Sequence, residues 1–294
     1  MSEANGDGYL GGRLRSQDDL SLYYRDYGDA GGGHVPVLCL AGLTRNSGDF
    51  HELALGLSAK RRVLALDLRG RGRSDRDPVP ANYEPRTYLN DIAHLLAATN
   101  THRVVVIGTS LGGVLAMAMT AVRPTALAGV VLNDVGPEIA VEGLDRIRAY
   151  AGREGSPADY DGAARQLKAM TGRAYPEFTD DDWLSEARAR YRPDGQGRLR
   201  ANYDPHIVQP LSAQGPGPID LWPYFRALTQ VPVLAIRGDL SDILDPTTFE
   251  RMVEVKPDLV RLTVPNRGHV PLLTEPVCGP AIEGFLESVD DAHG

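Results

Sequence analysis

Short apolar runs recur through the first half of the chain, separated by stretches with helical spacing. The runs are nearly continuous and rich in β-branched residues, as in strands that are buried on both faces of a parallel sheet. They lie at residues 35–40, 63–68, 104–108 and 129–132. In the helical stretches, apolar residues share one face, and Pro124 stops the segment that follows the third run. The alternation predicts a parallel sheet with crossover helices.

The pattern changes on either side of these runs. Residues 13–27 predict two strands of an antiparallel edge, separated by a turn at 17–19. From 136 to about 229 the chain has charged helices, scattered aromatics and many Gly and Pro residues, but no strong strand. Apolar strands then return at 231–237 and 259–264.

A polar, helical block between strands is typical of an insertion over the edge of a sheet. We therefore predict a core formed by residues 1–136 and 231–294, with a helical cap inserted at 137–230. Residues 214–218, Gln-Gly-Pro-Gly-Pro, are interpreted as a loop within the cap.

Composition narrows the classes of function. The chain has 294 residues with a formal net charge of −8, and it lacks a Lys/Arg run that would bind nucleic acid. Cys39 and Cys278 have neither a disulfide-framework nor a metal-type spacing, so we expect no metal and two small buried residues. Residues 1–12 are polar and Gly-rich, without the apolar core of a signal peptide, and no apolar run approaches the length of a membrane span. We therefore expect a cytoplasmic protein without a membrane partner.

The strongest chemical signal is Gly108-Thr109-Ser110-Leu111-Gly112, directly after a predicted strand and directly before a helix. This is the G-x-S-x-G nucleophile elbow in the context that it requires. The serine must sit in a strained turn that lifts its hydroxyl clear of the sheet, so residues two before and two after it must lack bulk. We predict Ser110 as a nucleophile; an incidental serine in a glycine-rich turn is the alternative.

A nucleophilic serine needs a general base, and His269 is the candidate among seven histidines. It lies in the loop after the last predicted strand, where its ring would reach across the sheet edge to Ser110. Gly268 leaves the backbone beside it uncrowded. A solvated loop histidine is the alternative.

The third group should be a carboxylate that holds the imidazole in the right tautomer and stabilises its cation. The loop after the penultimate strand offers Asp239, Asp242 and Asp245, and an earlier strand ends near Asp134. Asp245 precedes Pro246 and a helical stretch, which is typical of a helix N-cap. Asp242 lies deeper in the loop, before two apolar residues that would pin it inward. We predict Asp242 as the acid, with Asp134 and Asp239 as alternatives.

The oxyanion that develops on a substrate needs two hydrogen-bond donors. We predict the backbone N–H of Leu111, the residue after the nucleophile, and that of Leu43 in the loop after the first buried strand. An ordinary strand-to-helix turn is the alternative for the second loop.

Arg45 lies two residues after Leu43, so its side chain has a route into the site. A guanidinium there needs a carboxylate, either from the protein, such as Asp49, or from the substrate. A salt-bridged arginine is the favoured interpretation, and substrate binding by Arg45, which implies an acidic ester or lactone, is the other.

With these residues in place, the sequence resembles the α/β-hydrolases of the capped esterase and lactonase type. The resemblance extends from about residue 36 to 276, and its matching segments are Ala41-Gly42, Asp67 to Asp75, the elbow at Ser110, Gly238 to Leu244, and Gly268-His269. It implies a mostly parallel eight-stranded sheet flanked by helices, with a helical cap over the site. Many members have His-Gly where this chain has Ala41-Gly42, so that histidine's side chain is missing while the backbone donors remain.

The resemblance implies hydrolysis of a small carboxylic ester or lactone, without a cofactor, through an acyl-enzyme. Ser110 at the elbow argues against the haloalkane dehalogenases of the same family, which use aspartate there. Hydrolases of C–C bonds in aromatic catabolism share the triad and stay an alternative. A second alternative is a hydrolase-like ligand receptor. The charged helices of the predicted cap favour an enzyme with a small-molecule substrate over a receptor.

Overall fold

The computed structural model describes residues 3–5, 7–29, 33–152, 155–210 and 219–292, to which the structural statements below refer. The strands are β1 (Glu3–Asn5), β2 (Tyr9–Arg15), β3 (Ser21–Tyr27), β4 (Val37–Leu40), β5 (Val63–Leu66), β6 (Val104–Thr109), β7 (Leu127–Asn133), β8 (Glu138–Ile139), β9 (Tyr191–Pro193), β10 (Leu199–Ala201), β11 (Ile219–Asp220), β12 (Val233–Gly238) and β13 (Val260–Val264). The α-helices are α1 (His51–Ser58), α2 (Pro85–Ala98), α3 (Leu111–Val122), α4 (Val141–Tyr150), α5 (Tyr160–Thr171), α6 (Asp180–Arg190), α7 (Trp222–Arg226), α8 (Pro246–Val255) and α9 (Cys278–Asp291).

One large sheet organises the described residues, with strand order β1-β2-β3-β5-β4-β6-β7-β12-β13. The strands from β5 to β13 in this order run parallel, and β1, β2 and β3 form an antiparallel edge. The α/β-hydrolase fold expected from the sequence is thus present, including the antiparallel edge. Among the described residues the sheet has nine strands, one more than the eight expected. The additional strand is the three-residue β1, which pairs with β2 and lies in a polar stretch without strand periodicity.

Alternate residues of the central strands enter two different cores, one on each face of the sheet. On β6, Val104 and Val106 belong to one core, whereas Val105 and Ile107 belong to the other. Helices α2, α3 and α8 contribute to the first core, and α1 and α9 to the second. Burial on both faces explains why these strands are continuous apolar runs rather than alternating ones.

Between β7 and β12, no described residue adds a strand to the large sheet. This segment contains α4 to α7 and two small sheets, β8 with β11 and β9 with β10, which the sequence did not predict because each strand has only two or three residues. Part of it has its own apolar cluster, which includes Leu167, Trp183 and Tyr191. The cap boundaries at 137 and 230 stay our proposal, and the predicted loop at 214–218 lies outside the described residues.

Both cysteines are buried and unpaired, as expected, and burial raises the pKa of each thiol. Within the described ranges, no helix combines the length and apolar character needed to cross a bilayer.

Candidate active site

Ser110 stands in the sharp turn between β6 and α3. Its backbone has φ of 51° and ψ of −112°, a strained conformation for a residue other than glycine. The turn is crowded: a Cβ on Gly112 would collide with the backbone carbonyl of Leu40, and a Cβ on Gly108 with the backbone of Gly112. The two glycines of the elbow are therefore needed for close packing of α3 against the sheet.

His269 lies within hydrogen-bond distance of Ser110, as the sequence analysis predicted: its Nε2 is 3.0 Å from Ser110 Oγ. The loop that carries the imidazole is held from the segment between α5 and α6. Tyr175 Oη accepts a hydrogen bond from Val270 N at 2.9 Å and donates one to Val270 O at 3.0 Å. Gly268 N also donates to the carbonyl of Ala174 at 2.7 Å.

The carboxylate beside His269 belongs to Asp134, which follows β7. Asp134 Oδ2 is 2.7 Å from His269 Nδ1, and the aspartate is completely buried. Gly238 N donates to Oδ1 at 2.9 Å, and Ser241 Oγ donates to Oδ2 at 2.7 Å. These donors fix the carboxylate's orientation. With a proton on Nδ1 directed at Asp134, Nε2 is free to accept the Ser110 hydroxyl proton.

The sequence-based choice of Asp242 as the partner of His269 is corrected by this geometry. Asp242 is partly exposed and forms a bidentate ion pair with Arg146 of α4, with Nη2 2.9 Å from Oδ1. Burial favours the neutral form of Asp242, but the hydrogen bonds and charge of Arg146 outweigh it and lower the carboxyl pKa. Because β7 and β12 are adjacent parallel strands, their loops open at one sheet edge, and either loop is placed to supply a carboxylate.

The other two aspartates of the β12 loop have structural contacts. Asp239 Oδ1 accepts a hydrogen bond from the backbone N–H of Arg267 at 3.3 Å. Asp245 caps α8, as predicted, by accepting from Thr247 N at 2.8 Å.

The two predicted oxyanion donors lie beside Ser110. Leu111 is the first residue of α3, where a backbone N–H has no intrahelical acceptor. Leu43 lies in the loop after β4. The preceding residue, Gly42, is close to Ser110, because a Cβ added to Gly42 would lie 3.7 Å from Ser110 Cβ. Neither amide donates to a backbone or side-chain acceptor in the part of the chain that is described. Both are therefore available to a ligand.

The Leu43 loop is anchored by a buried arginine, Arg71. The sequence analysis did not identify this residue as a functional one. Arg71 Nε donates to the carbonyl oxygen of Leu43 at 2.9 Å, and Nη1 donates to Tyr88 Oη at 2.8 Å. Its guanidinium carbon lies 4.8 Å from the centre of the Tyr88 ring. In the sequence, Arg71 is distinguished only by its position in the arginine-rich segment Asp67 to Asp75, one of the segments that carry the family resemblance.

Arg45 enters the site region, but protein carboxylates already surround its guanidinium. Nε and Nη2 donate to Asp49 at 2.6 and 2.9 Å, and Nη1 donates to Glu186 of α6 at 2.9 Å. Burial opposes the positive charge, but the two carboxylates outweigh it and raise the pKa of Arg45. The contacts favour the salt-bridged interpretation over binding of a substrate carboxylate.

Two cavities meet at Ser110, and both are also lined by Leu43 and Ile147. The first, of about 270 Å³, is here called the polar cavity because charged and hydrogen-bonding side chains stand among the apolar ones of its lining; they include His269, Asn133, Thr44, Arg146 and Glu186. The second, of about 190 Å³, is the apolar cavity; its lining includes Leu111, Val114, Ile139, Leu144 and Ile243. Ser110 therefore faces two chemically different spaces.

Comparison with known proteins places this site in a family. The model described as "Alpha/beta hydrolase family" matches residues 37–277, which is most of the chain. The protein is an α/β-hydrolase. The matched range spans Ser110, Asp134 and His269.

Several relatives of this hydrolase align along most of its length. It is 31% identical to the 3-hydroxybutyrate-oligomer hydrolase of Cupriavidus necator, over 87% of this chain and 89% of that protein. It is 30% identical to the 2-(acetamidomethylene)succinate hydrolase of Mesorhizobium japonicum, over 86% and 88%. The crystal structure of an α/β-hydrolase from Novosphingobium aromaticivorans superposes with a TM-score of 0.89 at 42% identity, covering 95% of this chain and 98% of that one.

Proposed function

We propose that this hydrolase cleaves a small carboxylic ester or lactone through an acyl-enzyme, with Ser110 as nucleophile, His269 as general base and Asp134 as the acid. The observation that carries the proposal is the continuous hydrogen-bonded series from Ser110 Oγ through both nitrogens of His269 to Asp134. A nucleophile, a base and an orienting carboxylate within hydrogen-bond distance are what acyl transfer requires.

In the first step Ser110 Oγ attacks the carbonyl carbon while its proton passes to His269 Nε2. Asp134 stabilises the resulting imidazolium, and the amides of Leu43 and Leu111 donate to the oxyanion. Collapse of the tetrahedral intermediate breaks the bond to the leaving oxygen, which takes the proton from Nε2 and departs as the alcohol. The acyl group remains as an ester of Ser110.

In the second step a water molecule takes the place of the alcohol. His269 Nε2 removes its proton, and the hydroxide oxygen forms a bond to the acyl carbon. Collapse breaks the bond to Ser110 Oγ, which regains a proton from Nε2, and releases the carboxylic acid. The name of the Cupriavidus relative, a hydrolase of 3-hydroxybutyrate oligomers, supports this class of substrate.

The test is hydrolysis of p-nitrophenyl butanoate by wild type and Ser110→Ala. We expect kcat to fall by about four to six orders of magnitude with an unchanged thermal unfolding midpoint, because one oxygen is lost from a turn. Ser58→Ala, at the end of α1, is the matched control and should keep wild-type kcat. Near-wild-type turnover by a folded Ser110→Ala variant would end the proposal.

A further inference from the structure

From the two cavities, and resting on the proposed function, we infer how the substrate is divided between them. The apolar cavity binds the acyl group and the polar cavity binds the alcohol. The preferred substrate is therefore an ester between an apolar acyl group and a polar, hydroxylated alcohol.

The position of His269 determines which of the two cavities binds the alcohol. The leaving oxygen must take its proton from Nε2, so the alcohol lies on the side of Ser110 where the imidazole is. His269 is part of the lining of the polar cavity and is absent from that of the apolar cavity. Leu111, an oxyanion donor, lines only the apolar cavity. With the oxyanion between Leu43 and Leu111, the remaining substituent of the carbonyl carbon, the acyl chain, points into the apolar cavity.

The chemistry of the apolar cavity selects its occupant. Its lining in the described part of the chain contains no Asp, Glu, Lys, Arg or His. A carboxylate or ammonium on the acyl group would be desolvated there without a partner. The volume of about 190 Å³ exceeds the roughly 150 Å³ of an apolar protein cavity that holds benzene, so a short aliphatic or single-ring acyl group fits.

The polar cavity offers hydrogen bonds to the alcohol. The arginines of the lining, Arg45, Arg146 and Arg190, are already in ion pairs with carboxylates. The exposed Glu52 also lines this cavity and has no ion pair among the described residues. An anionic alcohol therefore finds no free cation there. Thr44 and Ser185 line this cavity, and neither hydroxyl forms a hydrogen bond to another described residue. Both hydroxyls can pair with a substrate hydroxyl, which favours a hydroxylated alcohol.

The experiment is a panel of four esters, formed from a butanoyl or hemisuccinyl group with glycerol or 1-butanol. For each, kcat/KM of the wild-type enzyme is divided by the rate constant of hydroxide-catalysed hydrolysis, which removes intrinsic reactivity. We expect glyceryl butanoate to be best and butyl hemisuccinate worst, with at least a tenfold loss for each exchanged half. A reversed or absent preference in an enzyme that hydrolyses these esters would overturn the inference alone. If none is hydrolysed, the proposed function itself fails.

A substitution in the apolar cavity tests whether the acyl group binds there. Val114→Phe places a ring in the apolar cavity from α3, so the ratio of kcat/KM for glyceryl butanoate to that for glyceryl acetate should fall at least tenfold. Val122→Phe, exposed at the end of the same helix, should leave the ratio unchanged. An unchanged ratio in folded Val114→Phe would contradict the assignment, and the wild-type panel decides it if this variant does not fold.

Discussion

Asp134 Oδ2 lies 2.7 Å from His269 Nδ1, although the two residues are 135 positions apart in the chain. The contact links the end of β7 to the loop after β13 across the intervening strand β12. Ser241, from the β12 loop, hydrogen-bonds to the same carboxylate oxygen. The neighbouring Asp242 instead pairs with Arg146. The β12 loop was predicted from the sequence to supply the carboxylate itself. It instead supplies a hydrogen bond to the carboxylate of Asp134.

The first prediction separates the two aspartates. Asp134→Asn should lower kcat by a factor of about 10⁴, because an amide donor facing Nδ1 favours the wrong imidazole tautomer. Asp242→Asn is the matched control and should lower kcat less than tenfold. Both are measured on p-nitrophenyl butanoate, with thermal unfolding to verify folding. A loss confined to Asp242→Asn would restore the sequence-based assignment and remove Asp134 from the mechanism.

Periodicity and local motifs predicted most of the fold and two residues of the candidate site. Strands buried on both faces produce continuous apolar runs, and Ser110 is marked by the glycines that its turn requires. The aspartate beside His269 has no comparable sequence signal. Asp134 has a positive φ of 53°, but no glycine at this position indicates such a turn. Which aspartate contacts His269 depends on which of two adjacent loops approaches it, and the sequence does not determine that. Arg71 was missed because its role depends on a contact with a distant loop.

The second prediction concerns this contact between Arg71 and Leu43. Arg71→Met removes the donor to the Leu43 carbonyl, so the Leu43 amide is no longer held at the proposed oxyanion position. We expect kcat to fall by about 10- to 100-fold with KM within twofold, and stability to fall by about 1–3 kcal/mol because a buried acceptor loses its partner. Kinetics and denaturant unfolding measure the two effects.

The control is Arg73→Met, which removes the same charge from an exposed side chain of the same turn. It should retain kcat within twofold. If Arg71→Met lost stability but kept wild-type kcat, Arg71 would have only a structural role.

The third prediction concerns the pH dependence of stability. Burial favours the neutral form of Glu186, but Arg45 and Arg190 outweigh it and lower its pKa from 4.5 to about 2. A lowered pKa stabilises the folded protein above pH 4.5, and the contribution is lost as the pH falls towards 2. Glu186→Gln should therefore cost about 3 kcal/mol of unfolding free energy at pH 7.

Denaturant unfolding of wild type and Glu186→Gln between pH 7 and pH 3 measures this difference. The gap should be constant down to about pH 4.5 and narrow below it. Asp181→Asn, an exposed charge removal on the same helix, should stay within about 0.5 kcal/mol of wild type at pH 7. A gap that widened with acidification would contradict the assigned direction of the Glu186 pKa.

In the proposed mechanism, His269 and Asp134 activate Ser110 as a nucleophile. The most direct measurement is covalent labelling with a p-nitrophenyl alkylphosphonate, followed by intact mass and peptide mapping. We predict one phosphonyl group on the wild-type protein, located on Ser110, no labelling of Ser110→Ala, and labelling of Asp134→Asn slowed by at least 100-fold. Labelling of Ser110→Ala at the wild-type rate, or a wild-type adduct on any other residue, would contradict it.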